Sequence, residues 1–341
     1  MSLLFFDGFE TYATADMLKE WSAMTGSATI NASGGRRSGG ALSMALSTSA
    51  ANVTKTLPSS AATVVIGFNF NASALPGAVP RSIARLLFSG TVHVTLALNS
   101  SGTLSVTRAG TVLATSTATI SLATDQYIEL KATIHDTTGA YELRLNGVDI
   151  LSATGVDTRN ASTAAIDQIS LGPDGNPGAT TTYLYDDLYV LDTSGSTNND
   201  FLGDVRIDAI YPTADGTYTG WTPSTGSDHY ALVDESTPNG TDYVSSSTAA
   251  EQDSFAMGSP PVLASEIIMG VRVKVAALKD DAGSRSIKVG VRSGTTDSLS
   301  AAQALTTSQM IYSHILETDP DTGVAWVPGG IDAMQTMIES V

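Results

Sequence analysis

Apolar and polar residues alternate along most of this chain. Short runs of Val, Ile, Leu, Thr and Tyr are separated by clusters of Gly, Ser, Asn and Asp. A period of two is the one that sends successive side chains of an extended strand to opposite faces, so the pattern predicts an all-β protein. The clearest stretch is 126-QYIELKATIHDTTGAYELRLNGVDILSA-153. Ile128, Leu130, Ala132 and Ile134 form one apolar face, and Tyr141, Leu143 and Leu145 form the next. Asn146-Gly147 is the dipeptide of a two-residue type I′ turn, because both of its positions need positive φ. That turn sets Leu145 opposite Val148, Arg144 opposite Asp149 and Leu143 opposite Ile150, so register and hydrophobic pattern agree. Glu129 and Glu142 lie beside Lys131 and Arg144 and read as outward cross-strand ion pairs. Further strands are expected at 41–47, 63–71, 83–90, 92–98, 103–110, 111–117 and 166–172. The run 14-TADMLKEW-21 reads as a short helical surface turn.

Half-apolar strands need a second layer to cover them, which points to a sandwich over residues 1–192. The stretch 193–200 is polar and turn-rich, and it reads as a linker. The pattern restarts with 201-FLGDVRIDAIYP-212 and includes two clean strands, 267-IIMGVRVKV-275 and 286-SIKVGVR-292. A second β-sandwich is therefore expected over 201–341. Ile331, Met334 and Ile338 are spaced as on a helix, so 331–341 reads as a short C-terminal docking helix.

Composition narrows the chemistry. The 341 residues are 42% hydrophobic and 15% charged, which is enough apolar content for folded cores, and the net charge is −17. Such a surface repels nucleic acid and anionic membranes, so neither is an expected partner. No cysteine is present, which rules out disulfides and thiol chemistry. The apolar run that opens the chain ends at Asp7 and lacks a basic start, so the chain is expected to begin at or near Met1, with no membrane insertion.

The stretch 183-YLYDDLYVLD-192 raises the main chemical question. Strict alternation puts Tyr183, Tyr185, Asp187, Tyr189 and Leu191 on one face, and Asp186 with Leu184, Leu188 and Val190 on the other. A buried carboxylate needs hydrogen-bond donors or a cation. Asp186 and Asp187 could lock the fold, bind calcium through oxygen ligands, or act in catalysis. The E-x-D-x-x-E pattern that retaining glucanases of one sandwich fold carry on a single strand is absent, as are H-E-x-x-H, G-x-S-x-G and a P-loop. His93, His135, His229 and His314 are scattered and read as surface or turn residues. The run 34-GGRRSGG-40 reads as a glycine-rich turn, although its backbone N–H groups and two arginines are also the makings of an anion cradle. The stretches 172-GPDGNPG-178 and 319-DPDTG-323 read as turns rather than calcium loops.

Basic residues cluster between 272 and 292. Arg272, Lys274, Lys279, Arg285, Lys288 and Arg292 are six of the 17 in the chain. Several alternate with valines, which implies one sheet with a cationic outer face. That face is either a solvated exterior or a docking surface for an acidic neighbour such as a second copy of this chain. Tyr211, Tyr218, Trp221, Tyr230 and Tyr243 fall in one loop-rich region. Tyr218, Trp221 and Tyr230 are the candidates for stacking on sugar rings, and domain packing is the other reading.

The first half resembles the concanavalin A-like, laminin-G-like jelly roll. The resemblance rests on 126-QYIELKATI-134, 140-AYELRLNGVDIL-151 and 183-YLYDDLYVLD-192. In that fold the first and last strands are neighbours, which would bring 5-FFDGFE-10 beside 183-YLYDDLYV-190 and Asp7 towards Asp186, where a shared calcium or a hydrogen-bonded lock would suit them. The whole chain is also similar to virion proteins of tailed bacteriophages. That similarity lies in 4-LFFDGFETY-12, 185-YDDLYVLDTSGSTNNDFLGDVRIDAIYPTADG-216 and 319-DPDTGVAWVPGGIDAMQTMI-338. It implies a non-enzymatic particle component, tail- or fibre-associated or decorating the capsid. Such a component would form homo-oligomers and contact other virion proteins, and host surface glycans are a further partner. No catalytic residues carry over.

Overall fold

The computed structural model describes residues 2–47, 49–262 and 265–341; Met1, the expected start, lies outside them. The chain divides into two compact units, Met1–Ile207 and Asp208–Val341. The first unit therefore extends past 193–200, the stretch expected as a linker. Residues after 192 remain bonded to it: Lys131 pairs with Asp200 at 3.0 Å, and the Phe201 ring lies 3.9 Å beneath the Arg144 guanidinium. No strand forms over 201–211.

The strands of the first unit are β1 (Leu3–Asp7), β2 (Ala23–Thr25), β3 (Ala28–Asn31), β4 (Ala41–Leu46) and β5 (Asn52–Ala61). They continue with β6 (Thr63–Ala72), β7 (Arg81–Phe88), β8 (Thr91–Leu98), β9 (Thr103–Arg108) and β10 (Thr111–Thr119). The last five are β11 (Gln126–Thr133), β12 (Gly139–Leu145), β13 (Val148–Val156), β14 (Ile166–Leu171) and β15 (Thr181–Asp192). An eight-stranded antiparallel sheet runs β13-β12-β11-β6-β15-β4-β3, with β1 also paired to β15. A seven-stranded antiparallel sheet runs β10-β9-β8-β7-β14-β5-β2.

Aromatic rings fill the space between the two sheets. Phe70 lies 5.2 Å from both Tyr183 and Tyr185, and Phe68 lies 5.6 Å from Tyr185, measured between ring centroids. Each such ring removed from water stabilises the fold by roughly 1.5–3 kcal/mol. The Tyr185 hydroxyl donates to the Ile83 carbonyl of β7 at 3.1 Å, which satisfies a polar group inside the core and ties one sheet to the other.

The hairpin turn has φ of 51° at Asn146 and 78° at Gly147, as a type I′ turn requires. Leu145 faces Val148 and Arg144 faces Asp149, but a bulge then pairs Leu143 with Leu151 in place of Ile150. The segment expected as a surface turn contains α1 (Met17–Glu20), and it buries Met17 and Trp21. Trp21 packs edge-on to Phe5 and stacks on Phe9.

The second unit contains β16 (Pro212–Thr219), β17 (Thr222–Pro223), β18 (Val244–Ser245), β19 (Gln252–Met257) and β20 (Val271–Ala277). These are followed by β21 (Ser286–Ser293), β22 (Thr296–Leu299), β23 (Gln303–Ala304), β24 (Met310–Leu316), α2 (Pro328–Ala333) and β25 (Gln335–Ser340). A six-stranded sheet runs β16-β19-β25-β21-β22 with β23 on β21, while β17-β18 and β20-β24 form separate pairs. Helix α2 is short, and the expected docking helix over 331–341 gives way to β25, a central strand between β19 and β21. Met337 and Ile338 are adjacent and both buried, so this segment presents apolar side chains to two faces. A strand with one buried apolar residue on each face, flanked by polar ones, lacks the simple alternation that would have announced it.

Candidate functional site

Strand β15 is paired along its length to β6, but on its other side the partner changes. Residues 181–185 pair with β4, and residues 188–191 pair with β1. Asp186 and Asp187 sit where one neighbour stops and the next begins. A bulge there places one extra residue in β15: Asp186 faces Asn69, whereas Tyr189 faces Gly67. Asp187 takes a φ of 48°, the left-handed conformation that such a bulge uses. The extra residue reverses the alternation. Tyr183 and Tyr185 point into the core, while Tyr189 joins Tyr127 and Glu129 on the opposite face. The single face expected for Tyr183, Tyr185, Asp187 and Tyr189 is thus split in two.

The neighbouring acids are held in place by named donors. Asp186 accepts the Arg36 backbone N–H at 2.8 Å and the Asp187 N–H at 2.7 Å. Asp187 accepts the Ile207 N–H at 2.8 Å, and its other oxygen lies 3.3 Å from Arg36 Nη1 and 3.6 Å from Arg37 Nη1. Arg36 also pairs with Asp204 at 2.6 Å. The run 34-GGRRSGG-40 is therefore an anion cradle whose anions belong to the chain itself. It has to be glycine-rich, because a Cβ on Gly35 would overlap the Gly40 carbonyl and press on the Asp186 carboxylate. Asp7, on β1, accepts the Tyr12 hydroxyl at 2.7 Å and the Phe9 N–H at 3.2 Å, and Trp21 Nε1 donates to Tyr12 at 2.9 Å.

Burial decides the electrostatics. It pushes the Asp186 carboxyl up to about 7, with the charge of Asp187 adding to the shift and the two N–H donors opposing it. It pushes Asp187 up as well, against the Ile207 N–H, Arg36 and Arg37. Glu10 is pushed up to about 9, first by burial and then by Asp186 and Asp7. These are crowded carboxyls. Both Asp186 oxygens and Asp187 Oδ1 accept N–H bonds, while among the described residues Asp187 Oδ2 is buried with no hydrogen bond and has only the Arg36 and Arg37 ion pairs. Among the described residues, no three His, Cys, Asp or Glu side chains are grouped so that they could hold a metal ion.

Glu129 departs from its expected outward ion pair. It is 1% exposed and accepts the Tyr189 hydroxyl at 2.5 Å and the Gly203 N–H at 2.8 Å. Arg144 pairs with Glu142 on its own strand instead. Segment 200–207 closes over this face through Asp200, Phe201, Gly203, Asp204 and Ile207. Glu10, Tyr12 and Asp204 escaped the sequence reading; Arg36 lies in the turn whose two arginines the sequence marks as the makings of an anion cradle.

The candidates of the second unit do not assemble into one surface. Arg272 and Lys274 lie on β20, in the pair with β24, whereas Lys288 and Arg292 lie on β21 of the six-stranded sheet. The single cationic face read from the sequence is thus divided between two sheets. Arg285 pairs with Asp281 at 2.9 Å, Lys288 with Glu339 at 2.7 Å and Arg292 with Asp297 at 2.5 Å. Arg272 contacts Ser313 Oγ. Trp221 and Tyr230 are half-buried against the apolar core of the unit, and Trp221 Nε1 donates to the Glu251 carbonyl. The Tyr218 hydroxyl donates to Asp297 and accepts from Arg292. Two histidines expected at the surface are buried. His93 accepts the Asn160 N–H at 2.9 Å, and His229 Nδ1 lies 2.7 Å from the fully buried Asp253.

No protein-family model and no curated protein matches the chain. Among solved structures, the alginate lyase Aly36B is similar over 56% of this chain and 96% of its own, at 12% identity and a TM-score of 0.39. The alginate lyase AlgAT5 of Polysaccharide Lyase family 7 is similar over 50% of this chain and 84% of its own, at 13% identity and a TM-score of 0.37. A Trypanosoma rangeli sialidase is similar over 48% of this chain, at 12% identity and a TM-score of 0.34, and the match spans only 27% of that enzyme. Likeness at this level leaves the chemistry of this chain to its own residues.

Proposed function

We propose that the chain is a non-enzymatic structural and adhesive component of a tailed-phage particle, tail- or fibre-associated. On this reading it is built from a concanavalin A-like jelly roll followed by a second β-sandwich, and it docks to other virion proteins as a homo-oligomer. The observation that carries the reading is the state of the acids. Asp7, Asp186 and Asp187 are at most 2% exposed and spend their oxygens on donors of the same chain. A hydrolytic pair has to face a substrate across a cleft, and these carboxylates face the inside of the fold. On this reading the biological setting comes from the resemblance of residues 4–12, 185–216 and 319–338 to virion proteins. High copy number on a symmetric particle lets modest contacts sum to firm attachment.

The test is to locate the chain on purified particles by electron microscopy with a labelled antibody. Regular labelling at the tail supports the reading, capsid labelling moves the chain to a decorating role, and absence from particles removes the proposal. Catalysis is checked separately by incubating the protein with host polysaccharide, where release of new reducing ends would overturn the non-enzymatic assignment.

A second reading, a carbohydrate-binding module, has one observation in its favour. Tyr243 is 53% exposed and sits at the β17-β18 pair, where its carbonyl accepts the Ser224 N–H. A glycan array run with wild-type protein and Tyr243→Ala distinguishes this role from simple packing.

A further inference from the structure

We propose that the outer face of the seven-stranded sheet binds a carboxylated polysaccharide, with Arg85 as the group that takes the carboxylate. This goes beyond the particle role and places glycan contact on the first unit rather than on the aromatics of the second.

The case begins with charge pairing. Most of the basic residues of the first unit stand against an acid: Lys19 with Asp16, Arg36 and Arg37 with Asp187, Lys55 with Glu20, Arg108 with Asp157, Lys131 with Asp200, Arg144 with Glu142 and Arg159 with Asp136. Arg81 and Arg85 have no such partner among the described residues; Arg81 donates to the Pro80 carbonyl at the start of β7, whereas Arg85 lies within the sheet. Its Nη2 donates to Ser170 Oγ at 2.9 Å, and its Nε is buried with no acceptor. Burial lowers its proton affinity, and Asp174, which only partly offsets this, is itself bonded to Ser82 Oγ at 3.1 Å. A partly desolvated guanidinium with no acid in ion-pair range favours an incoming anion, and its planar fork matches a carboxylate.

The surroundings define the rest of the ligand. Thr54 pairs with Ser170, Ser170 with Arg85, Arg85 with Thr95 and Thr95 with Thr107, in register across five adjacent strands. Directly paired residues project to the same face. This row lies opposite the apolar row of Val53, Leu171, Ala84, Leu96 and Val106, which fills the core. The outer face thus carries threonine hydroxyls on either side of one cation, while Ser170 is fully buried and occupied by Arg85 Nη2. With strands about 4.8 Å apart, four steps make a strip about 19 Å long. Side-chain hydroxyls both donate and accept, which suits the hydroxyls of an extended sugar chain. Thr54, Arg85, Thr95 and Thr107 are half-buried and retain access to solvent. The net charge of −17 opposes an acidic polymer at long range, so attachment rests on short-range hydrogen bonds and is modest per site.

The test is calorimetric titration of the full chain with oligogalacturonate and with its methyl ester, which keeps the hydroxyls and removes the charge. Wild-type protein is expected to bind the acid at least tenfold more tightly than the ester. Arg85→Gln is expected to lose that preference while keeping the wild-type melting temperature, and Tyr243→Ala is expected to keep it. Equal binding of acid and ester by wild-type protein, unchanged affinity in Arg85→Gln, or no binding of the acid at millimolar concentration would each overturn the proposal. None of these outcomes bears on where the chain sits on a particle.

Discussion

The Arg36 side chain stands between two carboxylates, 2.6 Å from Asp204 and 3.3 Å from Asp187, with its guanidinium 5.8 Å from the centre of the Tyr127 ring. Replacing it with methionine keeps the length of the side chain and leaves Asp187 buried beside Asp186 without its main cation. Breaking a buried pair from one side costs about 3 kcal/mol, so Arg36→Met should lower the unfolding free energy of the first unit by that amount, read from a lower urea midpoint at unchanged slope. A loss below about 0.5 kcal/mol would mean that the cradle is not stabilising. Glu10 and Asp186 set a pH dependence whose sign follows from their raised values. The folded state holds protons that the unfolded state has already released, so stability is greatest below the ordinary carboxylate range. It falls as pH rises, through about 7 for Asp186 and about 9 for Glu10. Denaturation midpoints should therefore decline between pH 5 and pH 9, and Glu10→Gln should flatten the upper part of that decline. An equally steep decline in the variant would show that Glu10 ionises normally. At this scale the sequence disclosed that two adjacent acids needed partners. The partners themselves were hidden, because Arg36 lies 150 positions from Asp186 and nothing local links them.

At the scale of elements, the bulge in β15 determines which side chains meet. It places Tyr189 over Gly67, where a Cβ would overlap the tyrosine ring. Gly67→Ala should therefore displace Tyr189 from Glu129 and cost about 1–3 kcal/mol, seen as a lower melting temperature with altered near-ultraviolet dichroism of the buried tyrosines. Wild-type stability in that variant would mean that the ring has room to move. The hairpin β12-β13 was readable residue by residue up to its own bulge, because turn type and alternation are local properties. Strand β5 and the central strand β25 were not. Residues 58–61 of β5 are mostly exposed, and β25 has one buried apolar residue on each face among polar ones, so neither carries the half-and-half pattern that marks a strand.

For the whole molecule, the division at Ile207 is the point to test. Residues 200–207 supply Phe201 beneath Arg144, the Gly203 N–H to Glu129, Asp204 to Arg36 and the Ile207 N–H to Asp187. A fragment ending at 207 is expected to unfold in one cooperative step. A fragment ending at 192 should melt at a clearly lower temperature and be cut faster by protease. Matching melting curves would show that the segment only rests on the surface. The sequence by itself determined the all-β class, many of the strands and one turn, because alternation and positive-φ dipeptides act over a few neighbouring residues. It also determined that acids in an apolar strand required an answer. Only the tertiary structure decided what that answer was. One extra residue in β15 reversed its faces, and donors from the 34–40 turn and the 200–207 segment closed on the carboxylates, a meeting that depends on chain segments brought together by folding.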